Sequence, residues 1–350
     1  MVPRLPRGRD AGLRAGWVML RYDITTNDWV IFAPTRARRP QDFGGGAAAP
    51  APPSAPCPFC PGNESLTPGE IYAVRDGSGR DGPGWQVRVI PNRFPALRIE
   101  EDIRRVQEGP LQRYMPACGA HEVIIESPDH ERVMAEQPVE HLEILLRTLQ
   151  LRHTDLMGDR RFQTIMIFKN HGHGAGTSLR HPHWQLIATP VVPHMLRIKY
   201  EIATQYFDQF GRCLYCDLHE QELAAGARVV AHNDAFSAIM PYAARLPFET
   251  WILPGSHLTS FGRTDAALMR PLAEVLRDVL RRLRAGLKDP DFNIAINSAA
   301  RGEEDEESFL WHMEILPRLT QPAGFELGSG MWINTVVPEE AASYLREVEI

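Results

Sequence analysis

Short runs of alternating apolar and polar residues recur along this 350-residue chain, with longer stretches of helical spacing between them. Residues 20–34 fit two strands joined by a turn at Thr26-Asn27-Asp28, because alternation of this kind marks a half-buried strand. Further strands are predicted at residues 85–90, 121–126, 164–169, 183–189, 228–240, 249–253, 292–297 and 310–316. Helices are predicted at residues 139–153 and 264–287. The mixture indicates an α+β protein.

Four motifs occur twice and in the same order. The matching pairs are Cys57-Pro-Phe-Cys60 with Cys213-Leu-Tyr-Cys216, the segments that begin at Arg88 and Arg228, Ser127-Pro-Asp-His130 with Pro254-Gly-Ser-His257, and His181-Pro-His183-Trp-Gln185 with Leu310-Trp-His312-Met-Glu314. Repetition of several landmarks in one order indicates a duplicated unit. We therefore predict a disordered extension at residues 1–16, a catalytic unit at residues 17–195 and a second unit at residues 196–350.

Charge and hydropathy exclude some classes of protein. The formal net charge of −6 gives no basic surface for nucleic acid. No apolar run reaches the roughly 18 residues of a membrane span, and the first sixteen residues carry four arginines without the apolar segment of a secretory signal. We expect a cytoplasmic protein that binds neither nucleic acid nor membrane.

The motif His181-Pro182-His183-Trp184-Gln185 carries the strongest chemical signal. In an extended strand His181, His183 and Gln185 lie on one face, so three polar side chains converge at the edge of a predicted core. An imidazole in that position indicates either a metal ligand or a nucleophile that attacks phosphorus.

The cysteines indicate zinc. Four of the five cysteines form two C-x-x-C pairs, and a tetrahedral zinc site can take two thiolates from one such turn. The repeat nominates His130 and His181 as partners of Cys57 and Cys60. A redox dithiol is the alternative, but such a motif favours a helix directly after the cysteines, whereas Pro61-Gly62 follows here.

The second half offers an incomplete version of this ligand set. Cys213, Cys216 and His257 match three of the ligands, and Leu310 occupies the fourth position. A second zinc at these three residues is left open, with water or an acidic group from residues 303–307 as a possible fourth ligand. His312 is predicted to be a packed or hydrogen-bonded histidine, in a unit that has lost catalysis.

Three segments suggest nucleotide binding. The Gly-rich loop at residues 171–176, followed by Thr177 and Ser178, can bring backbone N–H groups close to phosphate oxygens. Asn92 and Phe94 could contact a ribose and stack on a base. The arginine run comprises Arg36, Arg38 and Arg39. Guanidinium groups pair well with phosphate, although a solvated surface is the common alternative for such a run.

Taken together, these motifs resemble the galactose-1-phosphate uridylyltransferase family, a duplicated branch of the histidine-triad superfamily. The resemblance runs from about residue 18 to residue 346. It rests on Arg36-Ala-Arg-Arg39-Pro40, Cys57-Pro-Phe-Cys60, Asn92-Arg-Phe94, Ser127-Pro-Asp-His130, and the segment from Asn170 to Gln185. It implies tandem histidine-triad-like units, with antiparallel sheets and helices packed on one face.

The resemblance also implies a reaction. His183 would attack the α-phosphorus of a nucleotide sugar and form a nucleotidyl-histidine, which a sugar 1-phosphate would then attack. Gln185 would be a catalytic residue that hydrogen-bonds phosphate, and an amide cannot shuttle a proton as a histidine can. The residues implied around the phosphates and the nucleotide are Arg36, Arg39, Asn92, Phe94, Asn170, Gly176, Ser178 and Gln185. This favours transfer of UMP between UDP-hexose and hexose 1-phosphate over hydrolysis.

Two alternative functions remain open, and the sequence departs from the family pattern at two positions. The same histidine could serve an ADP-sugar or dinucleoside-polyphosphate phosphorylase, or the chain could be a non-catalytic zinc- and nucleotide-binding protein. Lys199 falls near a glutamate that binds a second metal in bacterial members, and Leu310 replaces a histidine of that site, so that second site should be absent in its usual form. The resemblance further implies a homodimer.

Overall fold

The structure, a computed structural model, describes residues 18–34 and 56–350. The predicted extension at residues 1–16 and the arginines Arg36, Arg38 and Arg39 lie outside these ranges. Among the helices within them, none combines the length and apolar character that crossing a bilayer requires.

The described residues form fifteen strands and six α-helices. The strands are β1 (Met19–Asp23), β2 (Asp28–Phe32), β3 (Tyr72–Arg75), β4 (Trp85–Pro91), β5 (Val106–Glu108), β6 (Gln112–Tyr114), β7 (Ala120–Ile125), β8 (Thr164–His171), β9 (His183–Thr189), β10 (Val229–His232), β11 (Phe236–Ile239), β12 (Thr250–Pro254), β13 (Phe292–Asn297), β14 (His312–Pro317) and β15 (Ile333–Asn334). The α-helices are α1 (Val139–Met157), α2 (His194–Phe210), α3 (Leu214–Ala225), α4 (Met269–Leu287), α5 (Gly324–Ser329) and α6 (Pro338–Glu347).

Ten of these strands form one continuous sheet across both halves. Their order is β10-β11-β12-β14-β13-β8-β9-β7-β4-β3, and every neighbouring pair is antiparallel. Each half supplies five strands, and the two halves meet where β8 pairs with β13, with Asn170 opposite Asn293. This arrangement confirms the predicted α+β class with antiparallel pairing and a duplicated plan.

One face of the sheet packs against helices α1 and α4. In α1 the buried residues Leu142, Leu145 and Leu149 recur at helical spacing, and Pro138 precedes the first turn. They join the core cluster that contains Ile124 of β7 and Leu276 of α4. This is the helix-covered face that the resemblance implies.

The opposite face differs between the two halves. In the second half it is covered by α2 and α3, whose Tyr200 and Tyr215 pack with Trp251 and Phe309 in a separate core cluster. The prediction of helices on a single face therefore misses this additional layer. In the first half, part of the same face lines a cavity, and several of the predicted site residues lie there.

Candidate active site and metal centre

Two thiols and two imidazoles from separate segments meet in one cluster. Cys57 and Cys60 lie in a turn in which the Cys60 N–H donates to the Cys57 carbonyl at 3.3 Å. The Sγ atom of Cys60 lies 3.3 Å from Nδ1 of His130 and 3.7 Å from Nδ1 of His181. All four potential ligand atoms lie within 4.8 Å of one another. The structure thus brings together the four residues predicted to bind metal.

The geometry of this cluster fits a tetrahedral ion. Zinc bonds of about 2.0–2.3 Å place neighbouring ligand atoms roughly 3.3–3.8 Å apart, and the Cys57 Sγ to His181 Nδ1 distance is 3.8 Å. Nε2 of His181 donates to the Ser127 carbonyl at 2.8 Å, which leaves the Nδ1 lone pair facing the thiols. Burial and the neighbouring Cys57 raise the pKa of Cys60 to about 11, so a cation would be needed to hold it as a thiolate at neutral pH.

His183 begins strand β9 with its ring orientation fixed. Its Nδ1 lies 2.9 Å from the His181 carbonyl oxygen. A carbonyl only accepts, so Nδ1 carries the proton and Nε2 has a free lone pair. The ring is 6% exposed, and burial lowers its pKa to about 4. The Phe59 ring packs edge-on against it, with centroids 5.4 Å apart. His183 is therefore a neutral, oriented imidazole at neutral pH.

A buried ion pair that the sequence analysis did not predict supports the backbone of His183. The Nζ atom of Lys169 pairs with Glu126 and lies 3.5 Å from the His183 carbonyl oxygen. Both side chains are almost completely buried. Lys169 lies in β8 and Glu126 directly follows β7, so only the pairing of the strands brings them together. No local pattern in the sequence indicates this contact.

Two adjacent cavities collect most of the residues predicted to bind nucleotide and phosphate. The first, of about 410 Å³, is lined by Asn92, Phe94, Ser178, His183 and Gln185. The second, of about 600 Å³, shares Ser178 with the first and is also lined by Asn170 and His181. The lining of neither cavity includes Gly176.

The Gly-rich loop forms a tight turn held from the second half. His173–Ala175 form a single 3₁₀ turn, between Gly172 at φ 84° and Gly176 at φ 86°. The Gly174 N–H donates to Oδ2 of Asp291 at 2.6 Å. Glycine is required at position 172, since a Cβ there would lie 1.7 Å from Oδ1 of Asp291. Asp291 was not predicted, because it lies more than a hundred residues away in the chain.

The second half contains a three-residue counterpart of the metal cluster. Cys213, Cys216 and His257 place their ligand atoms within 4.8 Å of one another. Nε2 of His257 lies 3.3 Å from the Thr259 hydroxyl, which itself donates to a backbone carbonyl. Nδ1 of His257 therefore faces the thiols, at 3.3 Å from the Cys216 Sγ. The hydrogen bond from Cys216 lowers the pKa of Cys213 to about 5.

The histidine equivalent to His183 is blocked. His312 keeps the same contact, with Nδ1 3.1 Å from the Leu310 carbonyl. Its Nε2, however, lies 3.4 Å from Nζ of Lys199, and its ring stacks on Tyr215 with centroids 4.9 Å apart. The residue is 0% exposed. The expectation of a packed, hydrogen-bonded histidine is confirmed.

Comparison with known proteins matches both halves of the chain. Residues 15–193 match the N-terminal domain model of galactose-1-phosphate uridyl transferase, and residues 199–349 match its C-terminal domain model. An ADP-glucose phosphorylase from Arabidopsis thaliana is 34% identical over 336 residues, which cover 95% of this chain and 93% of that protein. A galactose-1-phosphate uridylyltransferase from Thermotoga maritima is 29% identical over 341 residues, which cover 95% and 98%.

Solved structures give the same result. The crystal structure of the Arabidopsis thaliana ADP-glucose phosphorylase with bound ADP-glucose superposes with a TM-score of 0.81 at 30% identity, covering 95% of this chain and 100% of that one. A uridylyltransferase structure shares the fold, with a TM-score of 0.73, 24% identity and coverage of 93% and 97%. Since the two domain models together span nearly the whole chain, it belongs to the galactose-1-phosphate uridyl transferase family and is a uridylyltransferase-like enzyme.

Proposed function

We propose that the protein transfers UMP between UDP-hexose and hexose 1-phosphate through a covalent intermediate on His183. The observation that carries this proposal is the hydrogen bond from His183 Nδ1 to the His181 carbonyl, at 2.9 Å. It leaves Nε2 as an unprotonated nucleophile, on a residue that lines a cavity of about 410 Å³.

The reaction proceeds through two displacement steps at the α-phosphorus. In the first, the Nε2 lone pair forms an N–P bond to the α-phosphorus of the nucleotide sugar, and the P–O bond to the sugar 1-phosphate breaks. In the second, a phosphate oxygen of another sugar 1-phosphate attacks the same phosphorus, and the N–P bond breaks. The imidazole is a good leaving group because Nδ1 keeps its proton and its carbonyl partner throughout.

Gln185 favours a phosphate acceptor over water. Its amide lines the same cavity as His183 and can donate a hydrogen bond to the phosphoryl group. An amide cannot remove a proton from attacking water. A sugar 1-phosphate already carries an anionic oxygen and needs no general base. We propose that Asn92, Phe94, Asn170 and Ser178 contact the nucleotide and its phosphates, together with Gly176 and with Arg36 and Arg39, which lie outside the described residues.

We propose zinc as the metal at Cys57, Cys60, His130 and His181. Two sulfur and two nitrogen donors at tetrahedral spacing are the preferred set for this ion. A bound ion would be structural, because it would tie the cysteine turn to the segment that leads into His183. Cys213, Cys216 and His257 form a second proposed site, with one position open to water.

Adenylyl transfer is the second candidate. It is favoured by the 34% identity to an ADP-glucose phosphorylase over 95% of this chain, a protein whose structure holds ADP-glucose. The same imidazole would then transfer AMP from an ADP-sugar to orthophosphate. The two candidate reactions differ in the nucleobase of the donor and in the acceptor, but not in the nucleophile.

We also propose a homodimer acting in the cytoplasm. The family resemblance implies the dimer, and the five cysteines are all free thiols, which suits a reducing compartment. Light scattering coupled to size exclusion would test the dimer, and a monomeric mass would contradict it.

The test uses UDP-glucose and ADP-glucose, each labelled at the α-phosphorus. We expect acid-labile, base-stable label on the protein from the preferred nucleotide, no label in His183→Asn, and retained label in the matched control His312→Asn. Release by galactose 1-phosphate supports uridylyl transfer, and release by orthophosphate supports the second candidate. Label that persists in His183→Asn would refute the nucleophile.

A further inference from the structure

The side-chain amides of Gln185 and Asn170 each have their carbonyl oxygen held by a neighbouring donor. Both residues lie on the same face of the sheet as His183, because Gln185 is opposite Phe168 in the β8–β9 pairing and Asn170 is two residues further along β8. An amide that binds phosphate must present its NH₂ group, since its carbonyl oxygen would repel the anion. The donor that hydrogen-bonds to each side-chain carbonyl oxygen therefore decides whether the NH₂ group faces the substrate.

His121 sets the orientation of Gln185. The backbone N–H of Ala96 donates to Nδ1 of His121 at 3.2 Å, so in the neutral ring Nε2 carries the proton. That Nε2 lies 2.9 Å from Oε1 of Gln185 and donates to it. Nδ2 of Asn92 also lies 3.1 Å from this Nε2, and because both nitrogens then carry protons, this approach is not a hydrogen bond. The NH₂ group of Gln185 is therefore turned away from His121 and remains available in the cavity.

Asn293 sets the orientation of Asn170 in the same way. Its Nδ2 lies 2.9 Å from the Ala175 carbonyl oxygen, which only accepts, so this atom of Asn293 must be the NH₂ nitrogen. The same nitrogen lies 2.8 Å from the side chain of Asn170, whose contacting atom must then be Oδ1. Asn293 belongs to β13 of the second half and lies directly opposite Asn170.

We propose that His121 and Asn293 are positioning residues, which turn the NH₂ groups of Gln185 and Asn170 toward the transferring phosphate. Each of the two hydrogen-bonded chains starts from a backbone group, the Ala96 N–H or the Ala175 carbonyl, which can only donate or only accept. The donors are therefore oriented before substrate binds, and no reorganisation is needed as charge develops in the transition state. The inference rests on the proposed function, and it makes the second half part of the active site.

The test for His121 compares two replacements of similar size. His121→Gln keeps an N–H donor for Gln185, whereas His121→Met has none. We expect His121→Met to slow single-turnover label transfer from the nucleotide sugar by about 10- to 100-fold, somewhat less than the loss of an oxyanion-hole donor. His121→Gln should recover most of that rate at the same melting temperature. Equal losses in both variants, with unchanged melting temperature, would overturn the orienting role.

Asn293→Leu provides an independent test in the second half. Leucine has nearly the same size and no charge, but it cannot donate to Asn170. We expect a similar loss in the rate of label transfer, with the folded state retained in circular dichroism. A rate within about twofold of wild type for a folded Asn293→Leu or His121→Met protein would overturn the proposal for that residue. Wild-type protein that takes up no label would instead refute the proposed function.

Discussion

Replacing Gly172 with alanine should displace the Gly-rich loop at residues 171–176. The backbone of Gly172 has φ 84°, a region that favours glycine. A Cβ at this position would lie 1.7 Å from Oδ1 and 2.2 Å from Cγ of Asp291. Both atoms belong to the carboxylate that accepts the Gly174 N–H at 2.6 Å. The variant therefore cannot keep both its backbone conformation and this hydrogen bond.

The cost divides into two parts. Gly172 combines φ 84° with ψ 160°, a region that is essentially restricted to glycine and costs another residue about 1–3 kcal/mol, and a hydrogen bond to a charged group contributes about 1.5–3 kcal/mol. We therefore expect Gly172→Ala to lower the free energy of unfolding by roughly 3–6 kcal/mol. Gly176→Ala is the control for the steric contact, because Gly176 also has a positive φ, in the left-handed region at φ 86° and ψ 19°, and no described heavy atom lies within 4 Å of its added Cβ. It should cost only about 1–2 kcal/mol.

Denaturant unfolding of both variants, alone and combined with Asp291→Ala, measures these values. Without the carboxylate, the shortest contact of the added Cβ of Gly172→Ala lengthens from 1.7 Å to the 2.9 Å approach to Cβ of residue 291. The double-mutant cycle should thus show a coupling of about 1–3 kcal/mol for the Gly172 and Asp291 pair. For Gly176 it should be near zero. Equal costs for the two glycine variants, or no coupling at Gly172, would refute the steric reasoning.

Three further predictions concern protonation, metal and the second half. Burial lowers the pKa of His153 from 6.5 to about 4, so the unfolded state binds more protons than the folded state below pH 6.5. The free energy of unfolding should therefore fall by about 2–3 kcal/mol between pH 6.5 and pH 4. The His153→Leu variant should lack this loss when its unfolding is measured across the same pH range. Cys60→Ser should bind less zinc than wild type by elemental analysis, while Cys216→Ser should affect only a second equivalent; identical metal content in all three proteins would contradict both sites. Lys199→Met leaves the buried Glu314 without one cationic partner and should destabilise the fold by about 3–5 kcal/mol, yet the labelling rate of the folded fraction should stay at the wild-type value.

Several elements could be predicted because their patterns are local. The strand at residues 183–189 and the helix that begins at Val139 follow from periodicity alone. The cluster of Cys57, Cys60, His130 and His181 could be predicted because the repeat marks each ligand independently. Helix α2 was missed although Leu196, Tyr200 and Ala203 recur at helical spacing and are buried. That signal was present in the sequence.

The positioning contacts could not be predicted in this way. Asn293 faces Asn170 only because β13 pairs with β8 in one register, and a shift of one residue would turn Asn293 to the opposite face. The ion pair of Lys169 with Glu126 depends on the same sheet. Neither the spacing nor the residue types of these positions carry information about the partner, which is set by long-range packing.

The two halves of the sheet have diverged in how one face is used. In the first half this face carries His183 beside a cavity, whereas in the second half it carries His312 beneath Tyr215 and beside Lys199. His312 keeps the contact of Nδ1 with the carbonyl two residues earlier, that of Leu310, so its ring is oriented in the same way as that of His183. A nucleophilic imidazole also needs an accessible Nε2, and in His312 the ammonium group of Lys199 and the ring of Tyr215 occupy the space around the ring. The second half also contributes to this region, since Asn293 of β13 and Asp291 directly before that strand hydrogen-bond to the Gly-rich loop at residues 171–176.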